Sequence, residues 1–173
     1  ASDVAGIEEV NAKVTDNKNG TIQVNGTQVS PYNKLSDTTG GRNLLLGTSS
    51  TETLNSTWNN MFYVDVTKLI GVTLTYSCIL DITLATRGTV AVSLLAQDSS
   101  GNAVGSSSAS NSITHGNSSR VIVSITIPTG ASKLRISEWT NNTDANPYVG
   151  SRQLEKGSIA TDWTPAPEDK VNV

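Results

Sequence analysis

Apolar and polar residues alternate along most of the chain after residue 60. The longest alternation runs from residue 72 to residue 84, and its apolar positions are Val72, Leu74, Tyr76, Cys78, Leu80, Ile82 and Leu84. Shorter runs with the same spacing occur at Phe62–Val66, Val90–Ala96, Val121–Ile127 and Leu134–Ile136. Because successive side chains of a strand point to opposite faces of a sheet, each run predicts a strand with one buried face. The longest run predicts one long strand, or two strands joined by a bulge.

Turn-forming residues separate these runs. Asp98–Asn102 and Pro128–Gly130 are tight connections, and the Ser- and Asn-rich stretch Ser106–Ser119 is a longer polar loop. No helical period intervenes between the strands, which favours two packed antiparallel sheets. The predicted fold is therefore all-β, an antiparallel β-sandwich of the jelly-roll type that spans residues 42–169 and is followed by a tail at 170–173.

Residues 1–41 have a different pattern. Val4, Ile7, Val10 and Val14 have helix-like spacing, which predicts a short helix. Residues 21–29 alternate around Asn25-Gly26 and predict a small hairpin. We interpret residues 1–41 as a connector from a parent protein, and the alternative is a coiled-coil stub that sets the oligomeric state.

Composition and charge exclude several partners. The net charge of −3 comes without any Lys/Arg cluster, so nucleic acid is not an expected partner. No apolar run approaches the length of a membrane span, so no membrane partner is expected either. Cys78 is the single cysteine and lies in an apolar strand pattern, which predicts a buried small hydrophobic residue.

The sequence contains little that suggests catalysis. The single histidine, His115, lies in a polar loop without further metal ligands, and no Gly-x-Ser-x-Gly motif occurs. We therefore expect no enzyme activity, no metal and no cofactor, and a calcium site with Asp144 and Asp162 as ligands stays open as an alternative. The 15 acidic residues allow many carboxylate pairs, so a glycan hydrolase stays open as an alternative.

Exposed aromatic rings beside planar polar groups are typical of sugar sites. In the strand that begins at Lys133, Trp139 is out of phase with the core positions, which predicts that it lies on the wetted face. The polar residues Asn141, Asn142 and Asp144 follow it, and then Tyr148. We predict that these five residues form a sugar site. A bulge near Glu138 would instead turn Trp139 into the sandwich.

Three further residues are candidate sugar contacts. Trp58 precedes a strand in a Ser/Thr-rich stretch, and Tyr63 is out of phase with the core; packing at the edge of the core would explain both equally well. Arg152 and Glu138 are in phase with core positions of their strands. If those strands are neighbours, the two residues form a cross-strand ion pair, and Arg152 could otherwise offer its guanidinium to sugar hydroxyls.

Two terminal motifs carry a resemblance to a known family. Residues 41–48 (GRNLLLGT) and 153–169 (QLEKGSIATDWTPAPED) resemble the two ends of carbohydrate-binding modules found in tail and baseplate proteins of phages that infect Gram-positive bacteria. The resemblance implies that Trp163 packs on the sandwich as a structural clasp. At Arg152 the sequence departs from the family pattern, in which an apolar residue is expected.

The resemblance implies recognition of host cell-wall or surface polysaccharide, by a module located in the virion at the phage tail tip or baseplate. Its partners would be that polysaccharide and other tail proteins. A structural spacer or an oligomerisation domain of a tail fibre remains the alternative to sugar binding.

Overall fold

The computed structural model describes residues 14–16, 22–24, 27–29 and 41–170. The chain divides into two compact units, residues 1–39 and residues 40–173. In the first unit, strands β1 (Val14–Asp16), β2 (Ile22–Val24) and β3 (Thr27–Val29) form an antiparallel sheet in that order. The pairing of Val24 with Thr27 confirms the hairpin predicted around residues 25 and 26. The predicted helix over Val4–Val14 lies outside the described residues except for Val14, which begins a strand.

The described residues of the second unit, 41–170, form nine strands and one short helix. The strands are β4 (Thr53–Leu54), β5 (Asn59–Asp65), β6 (Thr73–Asp81), β7 (Thr89–Gln97), β8 (Ser108–Ala109), β9 (Ile113–Thr114), β10 (Ser118–Thr126), β11 (Lys133–Asn141) and β12 (Tyr148–Lys156). A 3₁₀ helix spans Pro167–Lys170. The predicted polar loop at 106–119 is thus partly wrong, because β8 and β9 lie within it and pair with β7.

The strands form two antiparallel sheets. Sheet one has the order β4-β12-β6-β10, and sheet two has the order β5-β11-β7-β8, with β9 also paired to β7. Consecutive strands alternate between the sheets from β4 to β7 and again from β10 to β12. This is the strand order of an eight-stranded jelly roll. The predicted antiparallel β-sandwich is confirmed.

The core lies between the two sheets. Its buried side chains are the alternating apolar residues of the central strands: Leu74, Tyr76, Cys78, Leu80, Val90, Val92, Leu94, Ala96, Val121, Val123, Ile125, Leu134, Ile136, Val149 and Leu154. Cys78 is a buried core residue, as predicted, and burial raises the pKa of its thiol. The prediction for Leu84 is wrong: β6 ends at Asp81, whose carboxylate accepts hydrogen bonds from the backbone N–H and hydroxyl of Thr83, and Leu84 is 72% exposed.

The C-terminal segment covers part of the outer face of sheet one. Gln153 and Glu155 are fully buried, although both point away from the core in the register of β12 with β6. Their side chains bond to Thr161 and Thr164 of the covering segment. Trp163 is half-buried and donates through Nε1 to the hydroxyl of Thr48 at 3.1 Å, a contact in keeping with a structural clasp.

Candidate functional site

A groove opens where the two sheets end side by side. At this side of the sandwich, sheet one ends in β4, which has two residues, and sheet two ends in β5, which has seven. Because β4 is too short to cover β5, the core-facing residues Phe62 and Val64 remain only partly buried. The groove has a volume of about 770 Å³. We call it the edge groove, and its lining residues are Leu44–Ser49, Thr51, Thr53–Ser56, Asn60, Phe62–Asp65 and Arg152.

Both apolar and polar groups line the edge groove. Leu46, which is 66% exposed, and Phe62, whose ring meets Tyr76 edge-on at 6.1 Å between centroids, supply apolar surface. Thr53 and Asn60 supply a hydroxyl and an amide. Grooves that combine apolar surface with a few fixed polar groups are typical ligand sites.

Arg152 and Glu138 form an ion pair beneath the edge groove. Arg152 Nε donates to Glu138 Oε1 at 2.6 Å, and Nη2 donates to Glu138 Oε2 at 2.8 Å and to Asn55 Oδ1 at 2.9 Å. Glu138 is fully buried, whereas the Arg152 side chain is 21% exposed. The two N–H groups of Arg152 Nη1 have no hydrogen-bond partner among residues 41–170. Because Arg152 lines the edge groove, these donors are available to a ligand there.

The predicted ion pair exists, but its expected geometry is wrong. Glu138 is in β11 of sheet two and Arg152 is in β12 of sheet one, so the pair spans the sandwich and does not join neighbouring strands. A bulge makes this possible: the register of β12 with β6 shifts by one residue between Gly150 and Gln153, and Ser151 has a φ of +52°. The extra residue turns Arg152 inward. Gly150 is required beside the bulge, because a Cβ there would lie 2.8 Å from Glu52 Cγ.

The Glu138 carboxylate accepts five hydrogen bonds. Beside the two from Arg152, they come from the Tyr76 hydroxyl at 2.8 Å and from the amides of Asn55 and Asn60 at 3.0 Å each. Burial by itself raises the Glu138 pKa, but the hydrogen bonds and charge of Arg152, with the two amides, outweigh burial and lower the pKa below its ordinary value. Glu138 is therefore a structural anion that fixes Arg152, Asn55 and Asn60 around the base of the groove.

The residues predicted from the sequence do not assemble into one site. Trp139 is half-buried on the outer face of sheet two, because β11 keeps an unbroken register with β5 and β7; the alternative of a bulge near Glu138 is wrong. Tyr148 begins β12 with its side chain out of phase with the buried Val149, which places it on the outer face of sheet one. The two rings are thus on opposite sides of the sandwich, and the prediction of one surface that contains both is wrong.

The other predicted contacts are scattered. Asn141 is exposed at the end of β11 and Asn142 is exposed in the turn that follows, and the Asp144 carboxylate accepts hydrogen bonds from the backbone N–H and hydroxyl of Thr86. Trp58 immediately precedes β5 and is 52% exposed, and its carbonyl accepts hydrogen bonds from the backbone N–H and hydroxyl of Thr140. Of the eight predicted residues, Tyr63 and Arg152 line the edge groove. Sequence reasoning missed Asn55, Asn60 and Leu46, which carry no periodic signal.

Neither a metal centre nor a membrane span is found in the described part of the chain. No three or more His, Cys, Asp or Glu side chains of residues 41–170 are grouped so as to hold a metal ion. No helix among the described residues is long and apolar enough to cross a membrane. His115 is exposed in its loop, with Nδ1 3.3 Å from the Gly88 carbonyl.

Comparison with known proteins gives weak structural likenesses. No protein-family model and no curated protein matches the chain. The enzymatically active domain of bacteriophage CBA120 tailspike protein 4 has a TM-score of 0.47 at 16% identity, with coverage of 60% of this chain and 15% of the tailspike chain.

Two carbohydrate-binding modules of family 22 have TM-scores of 0.44. The C-terminal family 22 carbohydrate-binding module of Clostridium thermocellum Xyn10B has a TM-score of 0.44 at 17% identity, over 58% of this chain and 66% of that one. The family 22 xylan-binding domain of Paenibacillus barcinonensis Xyn10C has a TM-score of 0.44 at 11% identity, over 71% and 99%. At these values the likenesses specify no ligand for this chain.

Proposed function

We propose that the chain is a non-catalytic carbohydrate-binding module that holds a glycan in the edge groove. The observation that supports this most is the composition of the groove, where open apolar surface lies beside the unpartnered Nη1 donors of Arg152. Sugar rings present apolar C–H faces and a rim of hydroxyls, so they need both kinds of contact at once. Because Glu138 and Asn55 hold Arg152 from below, its guanidinium is oriented before a ligand arrives.

The acidic groups around the groove favour binding without cleavage. Glycoside hydrolysis in its usual form needs two carboxyl groups on either side of the scissile bond, one of them able to donate a proton. Asp65 is the acidic residue among the groove-lining side chains, and its carboxylate accepts hydrogen bonds from Thr67. Glu138 is ion-paired with a lowered pKa, which is the opposite of what a general acid requires.

The proposed biological role is adhesion of a phage tail to the polysaccharide of a Gram-positive host. Support for this finer role comes from the terminal motifs at residues 41–48 and 153–169. A single groove of this size would bind weakly, with a Kd of about micromolar to millimolar, or roughly 4 to 8 kcal/mol. Many copies on one virion would supply avidity.

Binding of the fluorescently labelled chain to intact Gram-positive cells and to their purified wall polysaccharide tests the proposal. Thr53→Trp fills the groove, since Thr53 pairs with the core-facing Val149 and lies at the groove edge; Leu46→Ser removes apolar surface from it. We expect each variant to weaken binding by about tenfold, which corresponds to about 1.4 kcal/mol.

Two matched controls keep this test specific. Thr129→Trp adds the same ring in an exposed turn, and Leu84→Ser removes an equally exposed leucine elsewhere. Both should bind like the unmodified chain. Groove variants that bind as well as these controls would refute the groove as the site, and a chain that binds no polysaccharide would favour the structural-spacer alternative. Release of reducing ends from bound polysaccharide would refute the non-catalytic role.

A further inference from the structure

The outer face of sheet two carries cationic and aromatic side chains in neighbouring rows. In the register of β11, Arg135 lies between Tyr63 of β5 and Leu95 of β7. Lys133 precedes it on the same face, and Trp139 lies further along the strand. Tyr63 is 53% exposed, and the other side chains of this set are half-buried. We call these five residues the sheet-two platform.

Arg135 has no partner in the described part of the chain. None of its nitrogen atoms takes part in a hydrogen bond or an ion pair with residues 41–170. Its Nε is buried without a partner, whereas neither Nη atom is among the buried unpartnered atoms. The guanidinium therefore lies against the sheet with Nε covered, and its Nη donors remain accessible. Arginine can offer such donors as a fork that matches a carboxylate or a phosphate.

Lys133 adds a second cation to the platform. Its Nζ lies 5.3 Å from the centre of the Tyr63 ring, a cation–π contact. Asp65 is opposite Lys133 in the register, but the two form no ion pair, and the Asp65 carboxylate bonds to Thr67. Neither cation forms an ion pair with the described residues, and with Asp65 on the same face the three charged side chains Lys133, Arg135 and Asp65 carry a net charge of +1, although the whole chain has a net charge of −3.

We propose that the sheet-two platform binds an anionic glycan, with Arg135 and Lys133 contacting a carboxylate or phosphodiester group and Tyr63 and Trp139 contacting sugar rings. Charge complementarity identifies the ligand as an anion. The flanking aromatic rings and the polar side chains of Ser93 and Asn59 on the same face favour a hydroxylated polymer.

This platform is a surface distinct from the base of the edge groove. Tyr63 lies at the border of the two, but Arg135 and Trp139 do not line the groove. A groove that binds no neutral sugar would leave the platform proposal standing, and a platform that binds no anion would leave the groove proposal standing. The two proposals can therefore fail separately.

The test uses the full chain and four defined polymers in equilibrium titrations. Polygalacturonate supplies carboxylates on sugar rings, glucosylated poly(glycerol phosphate) supplies phosphodiesters and sugar rings, dextran is uncharged, and single-stranded oligothymidylate is a polyanion without the glycan pattern. We expect at least one anionic glycan-type polymer to bind about tenfold more tightly than dextran in 0.1 M NaCl. Raising the salt to 1 M shortens the screening length from about 10 Å to about 3 Å and should remove most of this preference.

Variants of Arg135 locate the binding. Arg135→Gln should weaken anionic binding by about tenfold or more, because a hydrogen bond to a charged group is lost, while binding of dextran stays unchanged. Arg135→Lys keeps the charge without the fork and should give an intermediate affinity. Arg87→Gln removes an exposed arginine from the β6–β7 turn and is the matched control, with binding expected within twofold of the unmodified chain. The thermal midpoint of Arg135→Gln should equal that of the unmodified chain, because the Arg135 guanidinium makes no hydrogen bond with residues 41–170.

Three results would overturn the proposal. They are anionic binding that Arg135→Gln leaves unchanged, equal losses in Arg135→Gln and Arg87→Gln, and tighter binding of oligothymidylate than of either glycan-type polymer. The last result would identify a nucleic-acid surface in its place.

Discussion

At the scale of single residues, the Arg152–Glu138 pair is the most consequential contact of the sandwich. One carboxylate accepts hydrogen bonds from two asparagines, a tyrosine and an arginine, and so connects β5, β6, β11 and β12. Removing one partner of such a pair leaves an uncompensated charge in a largely buried place.

Replacement of the Glu138 carboxylate tests how much the Arg152–Glu138 pair contributes to the free energy of unfolding. Glu138→Gln should lower the free energy of unfolding by about 3 kcal/mol, because Arg152 loses its counter-charge. Urea denaturation at pH 7 measures the change. Glu168→Gln is the control, since Glu168 pairs with Arg42 at the surface and its removal should change stability very little. Equal effects of the two substitutions would contradict the structural role given to Glu138.

The same pair predicts a pH dependence. The folded-state pKa of Glu138 is below its ordinary value of 4.5, so its stabilising contribution is complete above that value and is lost as the pH falls through the folded pKa. The difference in stability between the unmodified chain and Glu138→Gln should therefore shrink as the pH is lowered below about 4.5. Urea denaturation at several pH values between 3 and 7 measures it, and a difference that stayed constant over this range would contradict the prediction.

Sequence alternation identified this pair but not its geometry. Period-two spacing shows which residues share a face of a strand, and it correctly placed Glu138 on the inner face of β11. It says nothing about which strands are neighbours, because strand pairing depends on contacts between distant segments. The bulge at Ser151 was equally hidden, since it depends on the left-handed backbone of one non-glycine residue.

At the scale of elements, the turns determine how the strands meet. The β6–β7 turn lies against the β11–β12 turn: a Cβ on Gly88, which has a φ of +82°, would lie 2.4 Å from the Asn141 carbonyl oxygen. The hydrogen bonds from Thr86 to Asp144 join the same two turns. The close approach of two backbones explains why glycine occupies this position.

A pair of glycine substitutions separates backbone strain from crowding. Gly88→Ala and Gly116→Ala both place alanine at a positive φ, but the space around Gly116 is open within 4 Å. Gly116→Ala should cost about 1 kcal/mol, and Gly88→Ala about 3 kcal/mol or more, because the two turns must move apart. Thermal or urea unfolding of both variants measures the difference, and equal costs would contradict the close approach of the turns.

Element boundaries were predictable where alternation was long and regular. Strands β6, β7, β10 and β11 follow runs that are evident in the sequence. Strands β8 and β9 have two residues each and consist of Ser, Ala, Ile and Thr, so only their pairing with β7 defines them. Leu84 continued the pattern in the sequence, but the turn at Asp81–Thr83 ends the strand before it.

At the scale of the whole molecule, Asn43 joins the beginning of the sandwich to its end. The side chain is fully buried; Nδ2 donates to Thr48, to the Arg152 carbonyl and to the Thr164 carbonyl, and Oδ1 accepts from the N–H groups of Leu45 and Leu154. One amide thus connects three separate segments of the chain.

Loss of the Asn43 amide should destabilise the β-sandwich. Asn43→Ala leaves several buried partners unsatisfied and should cost about 3 kcal/mol, which lowers the thermal midpoint by roughly 6–12 °C for a unit of this size. Differential scanning calorimetry measures it. Asn111→Ala, at an exposed asparagine, is the control and should melt with the unmodified chain. A small effect of Asn43→Ala would show that the terminal segments are held by other contacts.

The overall architecture was more predictable than the groove. Composition and alternation were enough to predict a β-sandwich, because both indicate which residues are buried. The edge groove arises from unequal strand lengths, a two-residue β4 beside a seven-residue β5, and no local pattern in the sequence specifies that inequality. Asn55 and Asn60 look like ordinary loop residues until the two sheets bring them to one carboxylate.

The adjacency of the two ends of the sandwich has a topological consequence. Gly47 donates its backbone N–H to the Asp169 carboxylate, and Arg42 pairs with Glu168, so the chain enters and leaves this unit at nearly one point. A unit with neighbouring ends can be spliced into a surface loop of a carrier protein without forcing the loop apart. Short linkers at residues 41 and 170 would then suffice to display the sandwich as a side branch, with the carrier fold continuing uninterrupted beneath it.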